Sequence, residues 1–127
     1  MNGAGVAITG NTASYMGLAG YTEQQSYING ATPTSGEITF YYYKGTVQQL
    51  FLNGAWTLNA SDLVGMYAGS SMTIIVNQSA AGNTLTSSGI KWAGGNKTIS
   101  ITSGYVDIVN IFYDGSNYYA SLVLGYQ

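Results

Sequence analysis

Hydrophobic and polar residues alternate with a period of two along much of the chain. The alternation is visible in residues 37–43 and is clearest in residues 97–102, and both stretches are rich in the β-branched and aromatic residues that strands favour. Glycine and asparagine separate such stretches from one another. The pattern predicts strands near residues 5–9, 37–43, 46–52, 55–59, 72–78, 84–86, 90–92, 97–102, 105–113 and 117–124.

Two dipeptides between these strands predict β-hairpins. They are Asn53-Gly54 and Asp114-Gly115, and both tolerate the positive φ that a two-residue type I′ turn requires. Short strands joined by such turns predict an all-β domain over residues 37–127, built as an antiparallel, jelly-roll-like β-sandwich. Residues 1–36 are richer in glycine and alanine and alternate weakly, so we expect an N-terminal arm or a loosely packed lobe there. No internal repeat of fixed period is apparent.

The predicted strand over residues 105–113 is apolar on both faces. Val106, Ile108 and Phe112 fall on one face, and Val109 and Ile111 fall on the other. A strand of this kind must be covered on both sides. Either a subunit contact covers its outer face, or a β-bulge resets the phase of its alternation.

Ionised side chains are scarce, at 6% of the chain against roughly 25% in an ordinary soluble domain. There are three lysines and five carboxylates, with no histidine, cysteine or arginine. Because catalysis and transition-metal binding draw on these missing residues, we expect no enzymatic activity, no metal and no cofactor. Three lysines are also too few for a nucleic-acid or membrane surface, and the chain has no apolar run long enough for a spanning helix.

Asp107 is unusual among the carboxylates because it lies inside an apolar strand. One interpretation is a salt bridge to Lys91 or Lys97, and another is a contact with a neighbouring subunit. We favour a third, in which Asp107 accepts N–H bonds from a loop. We do not expect the carboxylates to form a catalytic pair, since Asp114 belongs to a turn and Asp62 to a cap or a bend.

Twelve tyrosines are concentrated in or beside the predicted strands. Consecutive strand residues point to opposite faces, so Tyr41, Tyr42 and Tyr43 cannot all lie in the core. Exposed tyrosines fit a protein interface or a platform for carbohydrate, and we favour burial against a protein partner. The candidate interface residues are Val6, Ile8, Tyr15, Tyr41, Tyr43, Tyr105, Asp107 and Tyr119.

Several motifs occur in a recognisable order from about residue 45 to the end. They are Trp56-Thr57-Leu58, residues 72–78 and 81–85, Ile90-Lys91-Trp92-Ala93-Gly94-Gly95, residues 97–100 and residues 106–119. In order and spacing they resemble a domain that recurs in virion proteins of tailed bacteriophages, both at tail-fibre ends and in small capsid-associated proteins. The resemblance implies a β-sandwich building block without enzymatic activity, and it does not indicate a position on the virion.

The segment before the resemblance is about 44 residues long, which is short for a fibre shaft. We therefore expect a capsid decoration or cement protein on the exterior of the virion, made in the host cytoplasm. Its expected partners are the major capsid protein, other virion proteins and its own copies, as a dimer or trimer. The alternative is a tail-fibre or spike tip that recognises a host glycan or receptor, and a hydrolase of surface polysaccharide is a third hypothesis.

Overall fold

The computed structural model describes residues 25–29 and 35–127. This part of the chain contains short 3-10 turns at Tyr42–Lys44, Ala60–Asp62 and Ala93–Gly95, and no helix in it is long and apolar enough to cross a membrane. Its strands are β1 (Gln25–Asn29), β2 (Ser35–Glu37), β3 (Phe40–Tyr41), β4 (Val47–Leu52), β5 (Ala55–Asn59), β6 (Leu63–Val64), β7 (Ser71–Gln78), β8 (Thr84–Ser88), β9 (Ile90–Trp92), β10 (Val106–Tyr113) and β11 (Tyr118–Tyr126).

The first nine strands wind as three stacked coils. The strands β1, β4 and β7 lie side by side in parallel, as do β2, β5 and β8 and also β3 and β6. Each of the first two coils gives one strand to each of three sides, as in a three-sided parallel β-solenoid. The third coil adds β7 and β8 to two of these sides, whereas its last strand, β9, pairs with the hairpin and not with β6. Ser35 pairs with Ala55 and Ala55 with Thr84, so the partners lie 20 and 29 residues apart. The turns between strands differ in length from coil to coil.

An antiparallel hairpin closes one end of the coils. Its first strand, β10, pairs with β7, and its second strand, β11, pairs in parallel with β9. The hairpin therefore covers the outer edges of two of the three sides of the last coil. Solenoids need such a cap because an uncovered edge exposes a row of backbone N–H and C=O groups.

The core runs along the inside of the coils. Inward positions of β4 and β7 alternate with outward ones, so that Leu50, Leu52, Ile74 and Val76 are almost fully buried. Phe40 joins them from the third side. The inner face of the hairpin, with Val109, Ile111 and Ala120, packs on the same cluster, so coils and hairpin share one hydrophobic core.

Buried amides tie the corners of the coils together. The Gln48 Nε2 donates to the carbonyls of Tyr41 and Gly45 at 2.8 and 2.9 Å. The Asn83 Nδ2 donates to the carbonyl of Leu52 at 3.0 Å, thereby joining the second coil to the third. Corner carbonyls leave the strand ladder, so these side chains supply the hydrogen bonds that buried backbone requires.

The all-β class predicted from the sequence is confirmed, whereas the jelly-roll is not. Six of the eight strand pairings in the described residues are parallel, and a jelly-roll is antiparallel. A period of two predicts that a segment is a strand but not which strand it pairs with. The boundary expected at residue 36 also falls inside the first coil, because β1 pairs with β4 and β2 pairs with β5.

One of the two predicted hairpins is confirmed. The hairpin at Asp114-Gly115 joins β10 to β11, but through a four-residue loop in which Asp114 Oδ1 accepts the N–H groups of Ser116 and Asn117. The prediction at Asn53-Gly54 is wrong, because β4 and β5 lie in different sheets and neither residue has a positive φ. That dipeptide turns a corner of the coil instead.

The strand predicted over residues 97–102 is also wrong. The segment runs beside β8 without forming a ladder, because its backbone groups are bonded elsewhere. Ser100 donates its N–H to Asp107 and accepts from Gln78 Nε2, and the carbonyl of Ile101 accepts from the N–H of Gly82. β-Propensity favoured an extended backbone here, but side chains took up the hydrogen bonds that a neighbouring strand would use.

Candidate interaction surface

The outer face of the closing hairpin carries exposed apolar side chains on both of its strands. Along β10 the buried positions alternate without interruption with outward ones. A β-bulge is present, but it lies in β11, where Leu124 and Gly125 oppose the single residue Asp107. It leaves the phase of β10 unchanged. Of the two explanations for this two-sided apolar strand, a phase reset is therefore wrong, and a covered outer face stays a prediction.

At the open end of the hairpin, apolar side chains form a continuous patch. Ile108 pairs across the ladder with Val123 on one side and with Ile75 on the other, and Val106 pairs with Tyr126. Val123 and Tyr126 are 46% and 51% exposed. We call this set the apolar patch; it consists of Ile75, Val106, Ile108, Val123 and Tyr126.

At the turn end of the hairpin, the surface changes to an aromatic cleft of about 490 Å³. Phe112 and Tyr119 face each other across the ladder, and each is 42% exposed. Trp92 forms part of the wall, and its Nε1 donates a hydrogen bond to the hydroxyl of Ser87 at 2.9 Å. We call this surface the aromatic cleft, and the lining residues that matter for its chemistry are Lys91, Trp92, Asn110, Phe112, Tyr119 and Ser121.

The hairpin turn and Lys91 set the electrostatics of this cleft. Hydrogen bonds from the N–H groups of Asn117 and Ser116 hold the pKa of Asp114 below its ordinary value. This carboxylate in turn raises the pKa of Tyr119, first through a hydrogen bond to the phenol and then through its charge. The Lys91 Nζ lies 5.8 Å from the centroid of the Tyr119 ring, within the range of a cation–π contact.

Asp107 lies on the inner face of β10 and is buried. Its Oδ2 accepts the N–H of Ser100 at 2.6 Å, and its Oδ1 accepts the hydroxyl of Ser100 and the N–H of Gly125, both at 2.8 Å. The interpretation that Asp107 accepts N–H bonds from a loop is confirmed. The carboxylate ties the 97–101 segment and the β11 bulge to the centre of the hairpin.

The other candidate interface residues lie in several places. Tyr41 and Tyr43 form a pair with ring centroids 5.6 Å apart, and the Lys44 Nζ lies 5.3 Å from the Tyr41 ring. Tyr105 is half-buried and its hydroxyl accepts a hydrogen bond from Gln127. Tyr119 lies in the aromatic cleft. Val6, Ile8 and Tyr15 lie outside the described residues.

An unpaired strand edge is a further feature of the surface. In the described part of the chain, β8 pairs with β5 alone, whereas β7 and β9 each gain a neighbour from the hairpin. Between β8 and the 97–101 segment lies a slot of about 250 Å³, with Leu85 and Ile99 at its apolar base. A strand of five uncharged residues thus presents its edge to an apolar slot.

The described residues bring together no group of three or more carboxylate, histidine or cysteine side chains that could hold a metal ion. Asp62 is used in a capping box with Asn59, and Asp114 is used in its turn. Comparison of the chain with models of protein families, with curated proteins and with solved structures finds no match.

Sequence reasoning missed most of the aromatic cleft and part of the apolar patch. No sequence pattern marked Asn110, Ser121 or Lys91 as surface-site residues, and they meet only because β9, β10 and β11 lie side by side. The signal that did exist was the two-sided apolar run over residues 105–113, which identified Ile108 and Phe112 as candidates for an outer face.

Proposed function

We propose that this protein is a structural component of a virion, a capsid decoration or cement protein that works by association and not by catalysis. The observation that carries the proposal is the apolar patch, which leaves Val123 and Tyr126 about half exposed in a chain with very few charged residues. Contiguous exposed apolar surface of this kind is typical of protein interfaces. The resemblance to virion proteins of tailed bacteriophages supplies the setting.

Two kinds of contact support such a role. The apolar patch suits a symmetric contact between copies, because a twofold axis would bring the same side chains against each other. The open edge of β8 suits strand addition by an extended segment of the major capsid protein or another virion protein. Thr84, Thr86 and Ser88 of this strand are exposed and uncharged, and Lys97 is the one charged residue among the described residues that line the slot.

The experiment is to locate the protein in purified particles and count its copies. A decoration protein is expected on the head in hundreds of copies, and particles assembled without it are expected to lose their DNA at lower temperature. A few copies or a few dozen, confined to the tail, would contradict the proposal. That result would favour the alternative, a tail-fibre or spike tip that recognises the host surface.

A variant links the count to the proposed contact. Val123→Lys places a charge in the apolar patch, at a site exposed enough to leave folding intact. We expect few copies of this variant to bind to particles. The control is Ser103→Lys, at an exposed turn position outside the apolar patch, which should bind to particles as the wild type does. Equal occupancy by both variants would show that the apolar patch is not the contact.

A further inference from the structure

We infer that the aromatic cleft is a binding site for an acidic glycan, in which pyranose rings lie on Phe112 and Tyr119 and a sugar carboxylate meets Lys91. The inference goes beyond the proposed structural role and is independent of whether the protein sits on a head or a tail. It rests on three features of the cleft: its rings, its uncharged hydrogen-bonding groups and its single charge.

The exposed rings of Phe112 and Tyr119 offer an apolar surface to which a sugar ring can bind. Phe112 and Tyr119 are direct cross-strand neighbours, so their side chains stand next to each other on the same face of the sheet. The C–H face of a pyranose is apolar and packs on such rings, and a volume of about 490 Å³ lies in the range of small-molecule sites.

Hydrogen-bonding groups that have no partner in the described part of the chain lie beside the rings. The Asn110 Oδ1 accepts the hydroxyl of Thr73 at 2.9 Å, which fixes the amide and leaves its nitrogen without an acceptor among the described residues. Ser121 pairs with Asn110 across the ladder, so its hydroxyl lies on the same face of the sheet as the Asn110 amide. An amide N–H and a hydroxyl two residues from the rings match the ring hydroxyls of a saccharide better than they match an apolar peptide.

The position of Lys91 favours an acidic sugar. Among the described residues that line the cleft, Lys91 is the only ionised one. The Asp114 carboxylate of the hairpin turn acts on the Tyr119 phenol, so we expect the sugar carboxylate on the Lys91 side of the cleft and away from the turn. The Lys91 Nζ lies 5.8 Å from the centroid of the Tyr119 ring, which places the ammonium group beside the rings, where it can meet the carboxylate of a sugar that contacts them. A uronic or sialic acid supplies a ring and a carboxylate together.

The chain contains a matched control for this arrangement. Lys44 lies over the ring of Tyr41 at 5.3 Å, in a similar cation–π geometry, but neither residue lines the cleft. Lys44→Met and Tyr41→Ala therefore remove the same chemical groups from a different surface. Any binding that depends on charge or on an exposed tyrosine alone should respond to both pairs of variants.

The test is titration of the full chain with defined probes, followed by NMR or calorimetry. The probes are trimers of galacturonic, glucuronic and mannuronic acids and sialyllactose, with the neutral trimers of galactose, glucose and mannose and with citrate as controls. We expect at least one acidic probe to bind with a Kd on the order of 1 mM or tighter. Lys91→Met and Tyr119→Ala should each weaken that binding by about tenfold or more, whereas Lys44→Met and Tyr41→Ala should leave it unchanged.

Several results would overturn the inference. They are no binding of any acidic probe, equal binding of the neutral trimers or of citrate, and equal losses in the Lys44 and Lys91 variants. If Tyr119→Ala instead dissociates an oligomer of the protein, the cleft is a contact between copies and the glycan assignment fails. Failure of the capsid role would leave these titrations unaffected, so the two proposals can fail separately.

Discussion

The wound coils and the closing hairpin are built from the same kinds of residue but are held together differently. In the coils, each strand pairs with a strand 20 or more residues away, and the corners between strands vary in length. In the hairpin, the two strands are joined by the four residues from Asp114 to Asn117. The comparison shows that contacts distant in sequence build the scaffold, whereas a local element carries most of the apolar patch and of the aromatic cleft, with β7 and β9 of the last coil completing them.

The difference predicts where substitutions act. Inside the coils a side chain has neighbours from the coils above and below, so its loss is felt in the core. On the outer face of the hairpin a side chain has solvent on one side, so its loss should affect association and leave stability nearly unchanged.

The largest effect is expected in the core of the coils. Leu50→Ala removes a fully buried side chain from β4, and we expect the free energy of unfolding to fall by about 2–5 kcal/mol. Val123→Ala on the outer face of the hairpin should change it by less than about 0.5 kcal/mol. Urea denaturation of both variants measures the contrast, and similar losses would show that the outer face is not separate from the core.

The next effect concerns the point where the hairpin is attached. Asp107→Ala leaves the N–H groups of Ser100 and Gly125 without their acceptor, which should cost about 2–3 kcal/mol. Asp107→Asn keeps one carbonyl oxygen and should lose less. Chemical denaturation measures both, and an alanine variant as stable as the wild type would show that the carboxylate does not hold the hairpin.

A smaller loss of stability is expected at two glycines, whose comparison distinguishes the cost of close contact between coils from the cost of a left-handed backbone. Gly89 has φ +73°, and a Cβ placed there would lie 2.9 Å from the Cβ of Ala60. Gly104 has φ +85° with no atom within 4 Å of such a Cβ. Both alanine variants should lose about 1–2 kcal/mol through the left-handed conformation, and Gly89→Ala should lose more because of the contact. Thermal denaturation decides the order, and equal losses would argue against tight stacking at this corner.

The smallest effect is the pH dependence of the hairpin turn. The pKa of Asp114 is lowered because its ionised form accepts the N–H groups of Asn117 and Ser116. Folding therefore favours the carboxylate, and the contribution to stability is present above the ordinary pKa and is lost as pH falls through the lowered one. A carbon-13 NMR titration should place the midpoint of Asp114 below pH 3.8. A midpoint at or above 3.8 would show that the N–H groups of the turn do not stabilise the ionised carboxylate.

The hairpin was also the part of the fold that the sequence predicted best. Its strands, the place of its turn and the two apolar faces of β10 all follow from adjacent residues, although the turn has four residues and not the two that Asp114-Gly115 predicts. In the coils, the bounds of β5 and β9 were predicted correctly at 55–59 and 90–92, but their partners were not. Spacings of 20 and 29 residues on one side show why, because corners of unequal length hide the repeat. The strand β1 was missed, since residues 25–29 alternate weakly.

The candidate site was predictable only in outline. The apolar outer positions of β10 follow from period-two alternation, whereas Lys91 and Ser121 reach the aromatic cleft through the pairing of β11 with β9 and β10. Segment 97–101 shows the converse. Its alternation is the clearest in the chain, yet it forms no ladder with β8, because the backbone groups of Ser100 and Ile101 are bonded to Asp107, Gln78 and Gly82.

The claim that this protein acts by association depends on the apolar patch, and sedimentation equilibrium tests it most directly. The wild-type chain should form a dimer or trimer at micromolar concentration, and Val123→Lys should be a folded monomer with an unchanged unfolding midpoint. A wild-type protein that remains monomeric over the whole concentration range, or a Val123→Lys variant that assembles as the wild type does, would contradict the account.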